Sequence, residues 1–252
     1  MGNVISGDND ENKIYRHTGF SSTISSSFAT PSSDLSGVAW DGTNLLSTDW
    51  TGCKSYKHSG FTTTITSSFS GFDTAFAANT WNGSNLITSN YGTWKMCRHS
   101  GFSSTISTSF TSSIIYVTGL STDGSDLISV SSNTNKYYKH SGFTTTISTS
   151  YSTQSTSGQG ISWDGTNLTE LLNSTDKIYK HSGFTDTITS SFSAPASSPR
   201  GLSDDVRFTT QTITAPLGTA TADGIPPTIG GITMSKSGWE FRNVRIRHRI
   251  RR

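Results

Sequence analysis

Apolar residues recur along this chain in short bursts, separated by stretches rich in Gly, Asn, Ser and Thr, and the bursts keep a period of 41 residues. Ile24, Ile65, Ile106, Ile147 and Ile188 form one series; Phe28, Phe69, Phe110, Tyr151 and Phe192 form another. Within one unit the pattern predicts four strands. Residues 37–40 (Gly-Val-Ala-Trp) make a short apolar strand, Asp41-Gly42 a hairpin turn that needs positive φ, and residues 44–47 the returning strand. A variable loop, 49–53, leads to a third strand at 54–59. Gly60-Phe61 then turns the chain into a fourth, 62–69, where Thr64, Ile65 and Thr66 alternate. No helical period interrupts the strands, which excludes leucine-rich, ankyrin and tetratricopeptide arrays.

Polar residues keep the same beat. His17, His58, His99, His140 and His181 are spaced by 41, each opening His-Thr-Gly-Phe or His-Ser-Gly-Phe, and Asp41, Asn82, Asp123, Asp164 and Asp205 form a parallel series. Four antiparallel strands in about 41 residues is the size of a propeller blade. The phrase Gly-Ile-Ser-Trp-Asp-Gly-Thr-Asn-Leu at 160–168, followed by Lys-Ile-Tyr-Lys at 177–180, resembles the blade consensus of many bacterial and phage propeller-repeat proteins, with a tachylectin-like ring size. The resemblance covers residues 1–205. It implies that the Gly-Ile-Ser-Trp strand lines a central channel and the Thr-Ile-Thr strand forms the rim.

The ends of the repeat predict how the ring closes. Residues 201–205 are in register with the first strand of a unit, and there the repeat stops. Shifting residues 44–47 back by 41 lands on Asn3-Val4-Ile5-Ser6, a second strand. The expected fold is therefore all-β: five four-stranded blades, closed by a split blade in which 201–205 joins the N-terminal strands and leaves no open edge. The expected domains are a propeller at 1–205 and an extended basic tail at 206–252.

Composition adds an asymmetry. The net charge of +2 divides into 11 Lys+Arg against 15 Asp+Glu in residues 1–205, and 8 against 2 in residues 206–252. In the tail, Val244, Ile246, His248 and Ile250 alternate with Arg245, Arg247, Arg249 and Arg251, the period of a strand with one apolar and one arginine face. A lone strand is unstable, so this segment, with Trp239, Phe241 and Arg242, is expected to anchor the chain by adding to a partner's sheet or to copies of itself. Nucleic acid is the less favoured partner, because it leaves the apolar face without a role. There is no export signal and no membrane-spanning run.

Candidate chemistry is sparse. The five histidines lie on the third strand, away from the axis, so they are expected to be structural hydrogen-bonding groups, not a metal ring. His-Ser-Gly lacks the nucleophile elbow of a hydrolase, Gly-x-Ser-x-Gly. The Asp-Gly-Thr-Asn turns lack the dense carboxylates of an EF-hand, and the sialidase Asp-box needs a residue between Asp and Gly. No cofactor, no metal and no enzymatic activity are expected. Cys53 and Cys97 occupy different positions in the repeat and read as scattered thiols.

The departures from the repeat concentrate in loops that open on one face of the disc, the usual way a rigid scaffold carries recognition. Trp50, Phe72, Phe76, Tyr91, Trp94 and Tyr116 are the candidate ligand-binding aromatics of that face, with Asp49, Asp73 and Asn90 as polar neighbours. The expectation is a display module of a phage virion. It would present these loops to a host-surface glycan or neighbouring virion protein, be moored by its tail, fold in the cytoplasm and become extracellular on lysis. A soluble bacterial lectin or scaffold that oligomerises through its tail is the second expectation. A propeller enzyme acting on glycans, with Glu170 and Asp176 as its acids, is the third.

Overall fold

The computed structural model describes residues 2–71 and 75–205, which form twenty β-strands. The first three are β1 (Val4–Asp8), β2 (Lys13–His17) and β3 (Ile24–Ala29). The next unit holds β4 (Leu35–Trp40), β5 (Leu45–Asp49), β6 (Lys54–His58) and β7 (Ile65–Ser70). It is followed by β8 (Phe76–Trp81), β9 (Leu86–Asn90), β10 (Lys95–His99) and β11 (Ile106–Thr111). Then come β12 (Val117–Thr122), β13 (Leu127–Ser131), β14 (Lys136–His140) and β15 (Ile147–Ser152). The last complete unit holds β16 (Gly158–Trp163), β17 (Leu168–Leu172), β18 (Lys177–His181) and β19 (Ile188–Ser193), and β20 (Pro199–Asp204) ends the series.

These strands make five four-stranded antiparallel sheets, a five-bladed β-propeller. One blade is split: β20 pairs with β1, placing Val4 opposite Asp204 and Ser6 opposite Leu202, and the sheet runs β20-β1-β2-β3. The innermost strands β20, β4, β8, β12 and β16 each pack on the next, and β16 packs back on β20, so the ring is closed.

Burial falls off from axis to rim. The first two strands of a blade are buried along almost their whole length, the third is partly buried, and the fourth is largely exposed. The inner strands are sandwiched on both faces between neighbouring blades, which calls for small and apolar residues throughout and not a period of two. The Ser/Thr-rich fourth strands have solvent on one side and meet it with hydroxyls. Among the described residues the cores sit between blades: Ile5 and Ile14 of one pack with Val38 and Leu45 of the next, and Ile128 and Tyr137 pack with Ile161 and Leu168.

The fourth strand begins later than expected, at Ile65 and not at 62. Residues 59–64 form a turn in which the Ser59 amide donates to the Thr64 carbonyl (2.8 Å) and the Thr62 hydroxyl donates to the Ser59 carbonyl (2.8 Å). Local hydroxyl-to-backbone bonds thus win over extension of the ladder. A bulge at the preceding histidine, repeated in each blade, sends the outer strand off with extra twist.

Candidate functional site

The repeated phrase around each histidine is used for architecture. Nδ1 of His17, His58, His99 and His140 lies 2.8–2.9 Å from a backbone carbonyl four residues on. A carbonyl only accepts, so Nδ1 carries the proton and Nε2 accepts from a hydroxyl: Ser6, Ser47, Thr88 and Ser129, at 2.9–3.0 Å. The ring also packs on an aromatic of the preceding blade, as His58 does on Phe28, and that aromatic meets the Phe of the same phrase edge-on, Phe28 against Phe61 at 4.9 Å. His-Ser-Gly-Phe is an inter-blade clasp. Burial lowers the pKa of all four of these histidines, partly offset by the carbonyl bond, and holds them neutral.

The Asp-Gly hairpins are equally occupied. Asp41 accepts from the amides of Thr43 (2.9 Å) and Asn44 (2.7 Å), and its other oxygen takes Lys57 at 2.7 Å. Asp123 and Asp164 repeat this with Lys139 and Lys180, and Asp205 pairs with Arg16. Among the described residues no three His, Cys, Asp or Glu side chains gather as metal ligands do, and Cys53 and Cys97 form no disulfide with each other.

The loop face is different. There Trp50 meets Tyr91 edge-on with ring centres 4.6 Å apart, and Tyr91 lies against Tyr116 at 4.5 Å and 36°. Trp50 and Tyr91 line a bowl of about 360 Å³ over the mouth of the channel, together with Asp34, Thr118, Ser132, Gln159 and Arg200. Its volume falls at the low end of small-ligand sites. Backbone bonds hold the aromatic loops to the starts of the inner strands: Trp50 N to Asp34 O (2.8 Å), Tyr91 N to Ala75 O (3.1 Å) and Ser132 N to Tyr116 O (3.1 Å). The Arg200 Nε is buried and makes no hydrogen bond among the described residues. Burial raises the Tyr91 pKa, with Tyr116 adding and Arg200 opposing, which places the guanidinium's field on the phenol.

Of the six predicted aromatics, the fold brings three together, Trp50, Tyr91 and Tyr116. Trp94 is exposed and stands outside the bowl lining. It occupies the left-handed turn position (φ 57°) that Asn12, Cys53, Asn135 and Asp176 take in the other blades. Phe76 is a correction: it is 1% exposed, the first residue of an inner strand, packed near His99 at 6.5 Å and filling the space beside Gly71. A large apolar side chain at the start of a strand sandwiched by two blades goes into the core. Phe72, with Asp73, lies outside the described residues, as do Trp239, Phe241, Arg242, Val244, Arg245, Ile246, Arg247, Arg249, Ile250 and Arg251. Asp34, Gln159 and Arg200 were not anticipated. Each lies in or beside the first residues of an inner strand, and the only sequence signal was departure from the repeat: Gln159 and Arg200 share a position with Ser36, Ala77 and Thr118, and Asp34 shares one with Ala75, Tyr116, Ser157 and Ser198.

Below the bowl the axis is plugged. Val38, Leu120, Ile161 and Leu202 converge there, leaving a cavity of about 10 Å³, no more than the ~10–15 Å³ that one water needs. No helix among the described residues is long and apolar enough to cross a membrane.

No family model and no curated protein matches the chain. Among solved structures it is similar to the glutaminyl cyclase of Myxococcus xanthus, with a TM-score of 0.53 and 14% sequence identity over 63% of this chain and 76% of that one. At that identity the likeness is one of fold. It still corrects the expectation that this chain is not an enzyme: an enzyme is built on a similar ring, so the architecture gives no ground for excluding catalysis. What the fold supports is a rigid propeller suited to binding or to a structural role, with its variable chemistry gathered at the bowl.

Proposed function

We propose that this protein is a recognition module whose loop-face bowl takes a saccharide bearing a carboxylate. The observation that carries the proposal is the joint placement of Trp50, Tyr91 and Arg200, whose Nε has no hydrogen-bond partner among the described residues, around one bowl, with Tyr116 packed against Tyr91. Indole and phenol faces suit the C–H face of a sugar ring, Asp34 and Gln159 suit its hydroxyls, and a guanidinium matches a planar carboxylate with two parallel hydrogen bonds. Tyr116, a bulky loop side chain held at positive φ beside Tyr91, supports a specialised face, since such backbone costs on the order of 1–3 kcal/mol.

The basic C-terminal segment, with its alternating Val244–Arg251 pattern, is read as the mooring of this module to a larger assembly, and the assembly as a phage virion that displays the bowl to host-surface glycans. Composition and charge asymmetry support that reading; it rests on analogy. A glycan array probed with the full chain, Trp50→Ala and Arg200→Ala tests the bowl. Retention on acidic saccharides, weakened at least tenfold in each variant, is expected. No sugar retained, or both variants binding unchanged, rejects it.

A further inference from the structure

We propose that the opposite mouth of the channel is a second, separate binding site that takes a small quaternary ammonium head group. Each inner strand delivers its last residue to that mouth, and these residues share one period: Trp40, Trp81, Thr122, Trp163 and Asp204. Three indoles, the Thr122 hydroxyl and one carboxylate from these ends, with Thr80, Ser121, Ser162 and Ser203 one residue before them, therefore line a common, mostly apolar cavity of about 90 Å³. That is several times the ~10–15 Å³ needed for one water, and the apolar plug described above separates it from the bowl.

Two features argue for a cation. The first is a surplus carboxylate. The hairpin aspartates take the neighbouring cations: Asp164 holds Lys180 at 2.6 Å, and Asp205 holds Arg16. Asp204 lies outside that set and has no ion pair among the described residues. Its Oδ2 is shielded from solvent and finds no hydrogen-bond partner. A lone buried carboxylate oxygen is costly unless something completes it. Burial, with Asp164 and Asp205 adding, raises Asp204 to about 7 against the pull of Ser162 and Lys180, so an incoming cation would hold it ionised.

The second feature is the wall. Indole faces attract ammonium groups through the ring quadrupole, most strongly when the cation is desolvated. A methylated ammonium suits a mostly apolar cavity better than a protonated amine, whose N–H groups need acceptors that the indoles lack. Thr122, where three other blades carry Trp, is the gap through which the head group enters.

The test uses the full chain and reads indole fluorescence during titration with choline chloride, with sodium chloride at matched ionic strength as the blank. Its uncharged carbon isostere, 3,3-dimethylbutan-1-ol, is titrated in parallel. Choline should saturate in the millimolar range or below, and the isostere should bind at least tenfold more weakly. Asp204→Asn should weaken choline at least tenfold, and Thr122→Trp, which fills the gap with the side chain of the other blades, should abolish binding while the melting transition persists. Trp50→Ala, on the other face, should leave choline binding intact whatever becomes of glycan recognition. If Asp204→Asn fails to fold, Thr122→Trp and the isostere carry the test. Equal affinity for choline and isostere, no saturable response, or unchanged binding in Thr122→Trp overturns the proposal.

Discussion

Glu170 Oε2 and His181 Nε2 stand 3.0 Å apart with both side chains fully shielded from solvent. The other four blades place Ser or Thr against His at this point. A carboxylate accepts where a hydroxyl donated, so Nε2 must now carry the proton, and His181 Nδ1 is left without the carbonyl bond its counterparts make. Oε1 of Glu170 also finds no hydrogen-bond partner, although the Gln154 backbone adds a weak pull toward the ionised form.

Burial raises the Glu170 pKa above its ordinary 4.5, against the His181 hydrogen bond. A carboxyl whose folded pKa is raised contributes most below its unfolded pKa, and that contribution is lost as pH rises through the folded value. Glu170→Thr, which restores the pattern of the other blades, should therefore be more favourable at pH 8 than at pH 5. Urea denaturation at the two pH values measures this. A substitution more harmful at pH 8 would show that the ionised pair is net stabilising.

His17, His58, His99 and His140 give a dependence of opposite sign. Their folded pKa values are lowered from 6.5, chiefly by burial, so the unfolded chain takes up protons that the folded one refuses. Their stabilisation is present above pH 6.5 and is lost as pH falls toward the lowered values. Each site contributes at most ~1.4 kcal/mol per pH unit, so the unfolding free energy should fall as pH drops below 6.5 with a slope to which the four sites add. His58→Gln should reduce that slope. An unchanged slope in that variant would contradict the neutral clasp.

The seam of the split blade hangs on Asp205. It accepts from the Asn3 backbone (2.5 Å), the Asn3 side chain (2.9 Å) and the Arg16 guanidinium, joining residues about 200 positions apart. Asp205→Ala should cost about 1–3 kcal/mol, because it takes the acceptor from the Asn3 amide and from a partly exposed Arg16. Asp123→Ala, whose pairing with Lys139 lies within one blade, should cost less. Thermal melts of the two variants compare them directly; equal losses would mean that the seam has no special weight.

Gly201 sets how closely the inner strands approach the axis. Its φ is +66°, and an added Cβ would lie 2.7 Å from Val38 N and 2.9 Å from Gly37 Cα, both backbone atoms that cannot swing away. Gly201→Ala should cost at least 2–3 kcal/mol, combining strain with a clash. Gly42→Ala, at φ +96° with nothing within 4 Å, should cost only about 1 kcal/mol. Similar losses at both positions would count against the tight approach of β20 and β4.

The period of 41 made the blades and their number legible because all strands other than those at the split seam pair with neighbours close by in sequence and the same local choices recur five times. It made the seam legible because the repeat stops one strand into a unit whose second strand opens the chain. The hydrogen bonding of the histidines was legible from the local pairing, since Ser47 and His58 meet across adjacent strands, but their complete burial was not. The bowl was legible only in part. Trp50, Tyr91 and Tyr116 belong to divergent loops, as a recognition face requires, but Trp94 in another such loop is exposed outside the bowl lining, and Phe76 begins an inner strand and is buried in the core.

What the sequence alone determined is therefore the ring and its closure: periodicity dictates pairing, and pairing in a chain of equal units dictates the sheet count. Only the tertiary structure decided which side chains share a site. Asp34, Gln159 and Arg200 reach one bowl, and Trp40, Trp81, Trp163 and Asp204 one cavity, because closure brings equivalent ends of five inner strands to a common axis. Residues 41 to 166 positions apart become neighbours there through the curvature of the whole ring, which no local pattern encodes.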